Sequence, residues 1–501
     1  MEASTRTDDD VPCVCRSVPP VSDVLKRGRI AAPRLLVAGA CGDAGKTTLC
    51  IGLLRALRRK GLAVQAFKKG PDYIDAAWLS RASEGAARNL DVYMCGEPSV
   101  RASFLRHGAQ ADCSIIEGAR GILDGVDAQG TYSSARLAML LDCPAILIVS
   151  AAKVTRTAAA AVKGIQQLEP DLRLGGVVLN GLSGDRHRRV TSRAIEDSTG
   201  VPVLGALPHV RAASMPIRHL GLVTPSEYQV AAHLTDSLER LISEHVDVDS
   251  VLSLARTAPW IAPHGWAAPE EPLMGRRDVR VGILVDSAFT FYYPENLEHL
   301  ERLGAELVPI SALDASDLPP IDALYIGGGF PETHARALAD NRPLLHAIRS
   351  LAQHQLPIYA ECGGLMYLSR AIHSGVETFE MVGALPVETA MTPNPVGHGY
   401  VDAVVVGDNP FFPLGAEIKG HQFHYSKVIS GTEHVDLVFM MSKGKGVRAR
   451  HDGLCVNNVL ATYVHVHAAG VPAWAEGLVA AADRYANRRR SLESAIEAAV
   501  G

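Results

Sequence analysis

Apolar and polar positions fall into two blocks along the chain, each with the same rhythm. From Arg34 to about Arg240, short aliphatic runs alternate with longer stretches rich in Ala, Leu and Arg at helical spacing. Leu35–Ala38, Ala63–Phe67, Cys113–Ile116, Ala145–Val149, Gly176–Leu179 and Val203–Gly205 are the predicted strands. Strands that alternate with helices imply a parallel sheet covered on both faces. A stretch rich in Pro, Trp and Gly, Thr257 to Gly275, interrupts the rhythm and predicts a linker. The second block opens at Val279-Arg280-Val281-Gly282-Ile283-Leu284-Val285 and runs to about Arg484. Its further predicted strands are Ala323–Ile326, Pro357–Ala360, Gly383–Pro386 and Val459–Val464. No internal repeat is visible. The expected organisation is a disordered leader over 1–30, an α/β domain over 31–245 and a linker over 246–278. A second α/β domain follows over 279–485, then a solvated helical tail over 486–501. Both domains are expected to be doubly wound.

Composition narrows the function classes. A chain of 501 residues is long enough for two to four domains, each with its own core. A net charge of −5 gives no basic footprint for a nucleic acid. The longest apolar run, Leu137 to Ala152, is broken by Asp142 and Pro144, so no membrane span is expected. Met1 to Asp10 lacks the basic-then-apolar order of a secretory signal. The nine cysteines contain no CxxC pair, Cys13 and Cys15 being closest. That usage suits a reducing cytoplasm and argues against structural zinc or a disulfide framework.

Two stretches carry chemistry. In the first, the run Leu35–Ala38 leads into Gly39-Ala40-Cys41-Gly42-Asp43-Ala44-Gly45-Lys46-Thr47-Thr48. A Gly-rich turn between a buried strand and a helix is the setting that cradles nucleotide phosphates. Gly42, Gly45, Lys46, Thr47 and Thr48 are the candidate ATP residues, with Lys46 on the β/γ oxygens and Thr47 on Mg²⁺. The strict spacing wants glycine where Ala40 stands, so the loop is a variant. Glu117, at the end of its strand, is placed to complete the metal site, because open α/β sheets put their chemistry at strand carboxyl ends. Between them, Phe67-Lys68-Lys69-Gly70-Pro71-Asp72-Tyr73-Ile74-Asp75 carries cations and carboxylates around a rigid turn. Asp72 or Asp75 would hold Mg²⁺ or orient a substrate, and Lys68 and Lys69 would neutralise acid groups.

In the second stretch, Leu356-Pro357-Ile358-Tyr359-Ala360-Glu361-Cys362-Gly363-Gly364 ends a strand on a thiol followed by two glycines. Small flanking residues tolerate a sharp nucleophile turn, and the start of the next helix favours the thiolate. Thr462-Tyr463-Val464-His465-Val466-His467 offers a distant base. Gly327-Gly328-Gly329 is a candidate oxyanion loop, Gly328 and Gly329 above all, since bare backbone can approach a tetrahedral intermediate. Few activities need both a phosphate loop and a thiolate. Cleaving an amide at a cysteine and using ATP to attach the ammonia elsewhere is one that does.

Together these residues resemble the cobyrinic acid a,c-diamide synthase family over nearly all of residues 34–470. The likeness rests on Phe67–Asp75, Glu117–Gly125, Phe291-Tyr292-Tyr293-Pro294-Glu295-Asn296-Leu297, Gly327–Glu332, Tyr359–Leu368, Gly420-His421-Gln422-Phe423-His424-Tyr425-Ser426 and Tyr463–His465. The resemblance implies an N-terminal P-loop domain related to dethiobiotin synthetase and a C-terminal, flavodoxin-like class I glutamine amidotransferase domain. It implies ATP- and Mg²⁺-dependent amidation of the a and c acetates of a corrin-like ring, with glutamine as nitrogen donor. Cys362 is then the nucleophile and His465 its activator. His467 stands where such enzymes usually carry Glu, which leaves the third triad member open. Gln422 replaces a more usual Glu. Lys69 and Arg120 look closer to relatives that amidate sirohydrochlorin-type rings. Lys68, Lys69, Asp72, Tyr73, Asp75 and Arg120 form the expected substrate set. Glutamine, ATP and a polycarboxylate tetrapyrrole are the expected partners, with a homodimer in view. A rival of another class is a P-loop regulatory ATPase with an inactive amidotransferase-like module, against which the intact Cys362 and His465 speak.

Overall fold

The computed structural model describes residues 29–209, 217, 218, 221, 222, 225, 231–262 and 279–500. The expected leader, except its last two residues, and 263–278 of the expected linker lie outside the described residues. The chain divides into two compact units, one formed by the described residues up to 262 and the other by those from 279 on.

The first unit is a sheet of seven parallel strands with helices between them. The strands are β1 (Arg34–Gly39), β2 (Val64–Lys69), β3 (Arg88–Leu90), β4 (Cys113–Gly121), β5 (Ala145–Ser150), β6 (Leu174–Leu182) and β7 (Val203–Pro208). Their order is β3-β2-β4-β1-β5-β6-β7. All six expected strands are present, and β3 joins at the edge. Every residue of β1 is buried, as a strand covered on both faces requires. Helices α1 (Lys46–Arg59) and α2 (Tyr73–Ser83) follow β1 and β2 directly, and α3 (Ala231–His245) packs on α1. Gly52 permits that approach: a Cβ there would lie 2.2 Å from Ile242 Cγ1 and 2.7 Å from the Leu238 carbonyl.

The described part of the expected linker, 246–262, packs into the first unit. It begins with α4 (Val248–Arg256), which buries Val248, Val251, Leu252 and Ala255 in the first unit. Ile30 and Ile261 then exchange backbone bonds of 2.9 Å in both directions. The buried Arg34 guanidinium donates to the carbonyls of Leu141 at 2.7 Å and Pro259 at 3.0 Å. A short amphipathic helix precedes the Pro- and Trp-rich stretch, and within that stretch Pro259 and Ile261 are held through their backbone.

The second unit holds a ten-stranded sheet. Its strands are β8 (Val279–Leu284), β9 (Ala305–Ile310), β10 (Ala323–Ile326), β11 (Ile358–Glu361), β12 (Gly397–Val405), β13 (Glu417–His424), β14 (Asp436–Lys443), β15 (His451–Val456), β16 (Val459–Thr462) and β17 (His465–Val466). The order is β9-β8-β10-β11-β16-β15-β14-β12-β13-β17. The first five are parallel, and every pairing from β16 onward is antiparallel. Helix α5 (Gly363–Leu368) leaves β11, and α6 (Pro472–Val500) ends the described chain.

Gly383–Pro386, expected as a strand, is irregular. Gly383 has φ 68°, Pro386 has no N–H to give to a ladder, and Gly383 and Leu385 donate instead to Ser369 and Leu368. The strand beside it is Glu388–Met391, in a separate four-stranded sheet with Ala371–Ser374, Glu377–Glu380 and Ser426–Ser430. The expected strand Val459–Val464 stops at Thr462, and the chain turns before His465. Among the described residues, no helix is long and apolar enough to cross a membrane.

Candidate active sites

The first site assembles at the carboxyl ends of the neighbouring strands β2, β4 and β1. Gly45 turns with φ 100° and α1 begins at Lys46 with no side chain capping its first turn. Its N–H groups are thus left for a ligand such as a phosphate. A Cβ on Gly45 would lie 2.5 Å from Asn180 Nδ2, which itself donates to the Ala44 carbonyl at 2.9 Å. Lys46 curls back over the loop, its Nζ 3.4 Å from where a Cβ on Gly39 would stand. Burial, then the neighbouring Lys68 cation, push its pKa below the usual lysine range. Gly42 is exposed and Thr48 half-buried in the first turn.

Thr47 Oγ1 donates to Glu117 Oε1 at 2.7 Å. Lys68 Nζ donates to the same oxygen at 3.0 Å, to Asp75 Oδ2 at 2.5 Å and to the Gly118 carbonyl at 3.4 Å. Burial alone would lower the Lys68 pKa, but the Asp75, Glu117 and Asp72 carboxylates more than offset it and hold the ammonium charged. Burial pushes the Glu117 carboxyl above the usual range, against the pull of Lys68. Glu117 Oε2 is buried without a hydrogen-bond partner in the protein. An orphaned carboxylate oxygen beside a threonine hydroxyl suits a hard cation. Among the described residues, no group of three or more His, Cys, Asp or Glu could hold a metal by itself. Thr47 and Glu117 are the residues that would hold Mg²⁺ beside a bound nucleotide.

Two of the expected site residues are engaged within the protein. Lys68, expected on the substrate, donates to Glu117, Asp75 and the Gly118 carbonyl. Asp72, expected on Mg²⁺ or substrate, caps α2 by accepting the Asp75 N–H at 2.7 Å. Asp75 is tied to Lys68. Lys69 and Tyr73 are half-buried and Arg120 is exposed, with φ 51°, at the strand ends beside them.

The second site forms where β11 ends. Cys362 has φ 48° and ψ −99°, a sharp turn into α5, and is 5% exposed. Its N–H donates to the Thr462 carbonyl at 2.7 Å, which ties the turn to β16. The next two positions are close-packed: a Cβ on Gly363 would lie 3.0 Å from Gly329 N, and one on Gly364 2.6 Å from the Ile326 carbonyl, where only glycine fits. His465 hydrogen-bonds Cys362, and its ring lies 2.6 Å from where a Cβ on Gly328 would stand. Thiol, imidazole and the glycine loop are thus in one place. The loop is pinned by residues the sequence reading left without a role. Phe291 N–H donates to Gly328 O at 3.0 Å, and Tyr292 Oη accepts the Gly327 N–H at 2.7 Å. Buried Asn296 bonds the Val466 carbonyl at 2.9 Å and the Ala468 N–H at 2.7 Å, fixing the chain on either side of His467.

His465 Nδ1 lies 3.0 Å from Glu361 Oε2, and both side chains are buried. Burial would lower the His465 pKa, but hydrogen bonds to Cys362 and Glu361 raise it to about 9. His421 stacks on the same ring at 4.9 Å, and burial holds it far below the usual histidine range. Glu361 escaped the sequence reading although a signal was there: a carboxylate ending an otherwise apolar strand is costly unless paired.

Two family models match the chain. The CobQ/CobB/MinD/ParA nucleotide binding domain covers residues 35–223, and the CobB/CobQ-like glutamine amidotransferase domain covers 280–472. "Cobyrinate a,c-diamide synthase" of Magnetococcus marinus is 43% identical over 446 residues, 88% of this chain and 96% of that protein. The proteins of the same name from Syntrophotalea carbinolica and Archaeoglobus fulgidus are 40% and 38% identical. They align with 90% and 87% of this chain, and with 98% and 94% of their own lengths.

Proposed function

We propose, from the premise that this chain belongs to the cobyrinate a,c-diamide synthase family, that it amidates the a and c acetates of cobyrinic or hydrogenobyrinic acid in cobalamin biosynthesis. Its nitrogen comes from glutamine and its driving force from ATP. The carrying observation is that one chain holds both the Lys46–Thr47–Glu117 site and the Cys362–His465 site.

At the thiol site, Cys362 sulfur attacks the glutamine side-chain carbonyl carbon, and the carbonyl oxygen becomes an oxyanion facing Gly328 and Gly329. His465 gives its proton to the departing ammonia, and water then releases glutamate from the thioester. At the nucleotide site, a ring carboxylate oxygen attacks the γ-phosphorus and ADP leaves. Mg²⁺, when bound, neutralises phosphate charge there, with Thr47 and Glu117 holding it. Lys46 neutralises the same oxygens, and buried Lys68 balances Glu117 and Asp75. Ammonia then attacks the acyl-phosphate carbon and phosphate departs, which a bare carboxylate could not offer as a leaving group.

Lys69 and Arg120 favour a second reading of the ring, a sirohydrochlorin-type acid amidated by the same chemistry. The two cations end neighbouring strands, close enough that Arg120 lowers the Lys69 pKa after burial has done so. The test is to offer cobyrinic acid and sirohydrochlorin side by side with glutamine, ATP and Mg²⁺, following product masses and glutamate release. Two carboxyl-to-amide conversions on cobyrinic acid are expected. Amidation of sirohydrochlorin alone selects the second reading, and no amidation of either ring refutes both.

A further inference from the structure

A thiol–imidazole pair works only if the imidazole is held in one tautomer and one orientation. The position two residues beyond His465 does not do this. His467 Nδ1 accepts the Ala469 N–H at 3.2 Å, its Nε2 lies 3.8 Å from Glu295 Oε2, and its ring packs 4.8 Å from Tyr293. Glu361 meets the requirement instead. Its Oε2 lies 3.0 Å from His465 Nδ1, and its Oε1 accepts from Tyr359 Oη at 3.2 Å and from Val466 N–H at 3.3 Å. The carboxylate is wholly buried, so it cannot swing to solvent.

We propose that Glu361 is the positioning residue of the thiol site, accepting the Nδ1–H of His465 so that Nε2 faces Cys362 and the imidazolium is stabilised when the thiol gives up its proton. The proposal rests on Cys362 and His465 being the glutamine-cleaving pair. It places the acid on the nucleophile's own strand, one residue before it, rather than on the strand of the histidine. One junction of β11, β16 and β17 then sets nucleophile, base and acid together.

The groups facing His465 are Cys362, Glu361, His421 and His424. Burial keeps both of the other histidines neutral, His424 at about 4. Cys362 and Glu361 therefore hold the His465 proton on, up to about 9. The imidazolium is present below that pH and lost above it, so removing the Glu361 charge must bring the loss to lower pH.

The full chain is compared as wild type, Glu361→Gln, Glu361→Asp, His467→Ala and Cys362→Ser. Readouts are glutaminase kcat and KM against pH, and alkylation of Cys362 by iodoacetamide read on its own peptide. Ammonium-driven amidation gauges folding. Glu361→Gln should lose at least about a hundredfold in kcat, as when the acid orienting a catalytic imidazole is lost. Its KM should stay near wild type, and its alkaline limb should move to lower pH, which a merely structural role would not do. Glu361→Asp should keep the limb while recovering only part of kcat, and His467→Ala should match wild type. An unmoved limb in Glu361→Gln, or the same loss in His467→Ala, overturns the proposal. If Glu361→Gln fails to fold, full wild-type kcat in the Asp variant overturns it. Glutaminase surviving in Cys362→Ser would instead refute the underlying pair.

Discussion

Tyr292→Phe deletes a single oxygen and asks whether the glycine loop beside Cys362 acts as an oxyanion site. Tyr292 Oη donates to the Leu284 carbonyl at 2.5 Å and accepts the Gly327 N–H at 2.7 Å. The ring itself is packed tightly, with Cζ 2.6 Å from where a Cβ on Gly327 would lie, so phenylalanine keeps the packing and loses both bonds. Orphaning the Gly327 amide costs about 1–3 kcal/mol and the Leu284 bond about 0.5–1.5, together roughly 1.5–4.5 kcal/mol of stability. The amide also fixes the start of Gly327–Gly329. Outright removal of an oxyanion donor costs about a hundred- to a thousandfold in kcat. A loosened donor should cost less, roughly ten- to a hundredfold in glutamine hydrolysis, with KM little changed. Steady-state glutaminase and urea unfolding of the full chain measure the two effects, and ammonium-driven amidation should stay near wild type. Wild-type kcat at a lowered urea midpoint would show that Tyr292 supports only the fold. An equal loss with both nitrogen sources would show general damage.

Cys362→Ser should abolish glutamine-dependent amidation while leaving synthesis from ammonium salts largely intact; loss of both in a folded variant would break the proposed division of labour. Lys46→Ala should fail with either nitrogen source, because charge on the transferring phosphoryl group is left without a contact commonly worth several kcal/mol. Near-normal ATP-dependent turnover would sink the phosphate-loop assignment. Arg120→Met should weaken a sirohydrochlorin-type acid more than cobyrinic acid, by about 1.5–3 kcal/mol, roughly ten- to a hundredfold in affinity. Steady-state constants for both rings check it, and an equal loss or none would remove Arg120 from ring choice.

What the chain's own pattern reveals depends on how each strand is buried. In the first sheet the parallel strands lie between helices, so Leu35–Ala38 or Ala145–Val149 are continuous apolar runs and easily read. Arg88–Leu90 was invisible because two of its three residues are polar, although all three are buried. Among the antiparallel strands of the second sheet, Gly397–Val405 was missed for the opposite reason. It opens on Gly397-His398-Gly399-Tyr400 with no apolar run, and buried and half-buried residues alternate only from Val401 on. In the sites, Lys46, Thr47, Glu117, Cys362 and His465 were legible because each ends or follows a readable strand. Lys68 was legible as a charge but its partners were not, since Asp75 and Glu117 meet it only once β2 and β4 pair. Glu361 finds His465 across 104 positions of sequence, a distance no local pattern spans.

The same reasoning accounts for Gln422, which the resemblance marks as a departure from Glu. Gln422 Nε2 donates to Asp452 Oδ2 at 3.0 Å, and both side chains are buried. The other oxygen, Asp452 Oδ1, accepts from Thr462 Oγ1 at 2.8 Å, Tyr463 N–H at 3.2 Å and Gly453 N–H at 2.7 Å. Burial raises the Asp452 carboxyl, and these four donors, Gln422 among them, pull against it. A glutamate at 422 would set two carboxylates against each other in a buried place, where one would have to take a proton. An amide at 422 answers the acid at 452 without that cost. The pair matters because Thr462 carries the carbonyl that accepts the Cys362 N–H, so Asp452 and Gln422 hold one side of the nucleophile's turn from behind. The departure is thus a local exchange inside the scaffold of the thiol site, and it leaves Cys362, His465 and the glycine loop as they are.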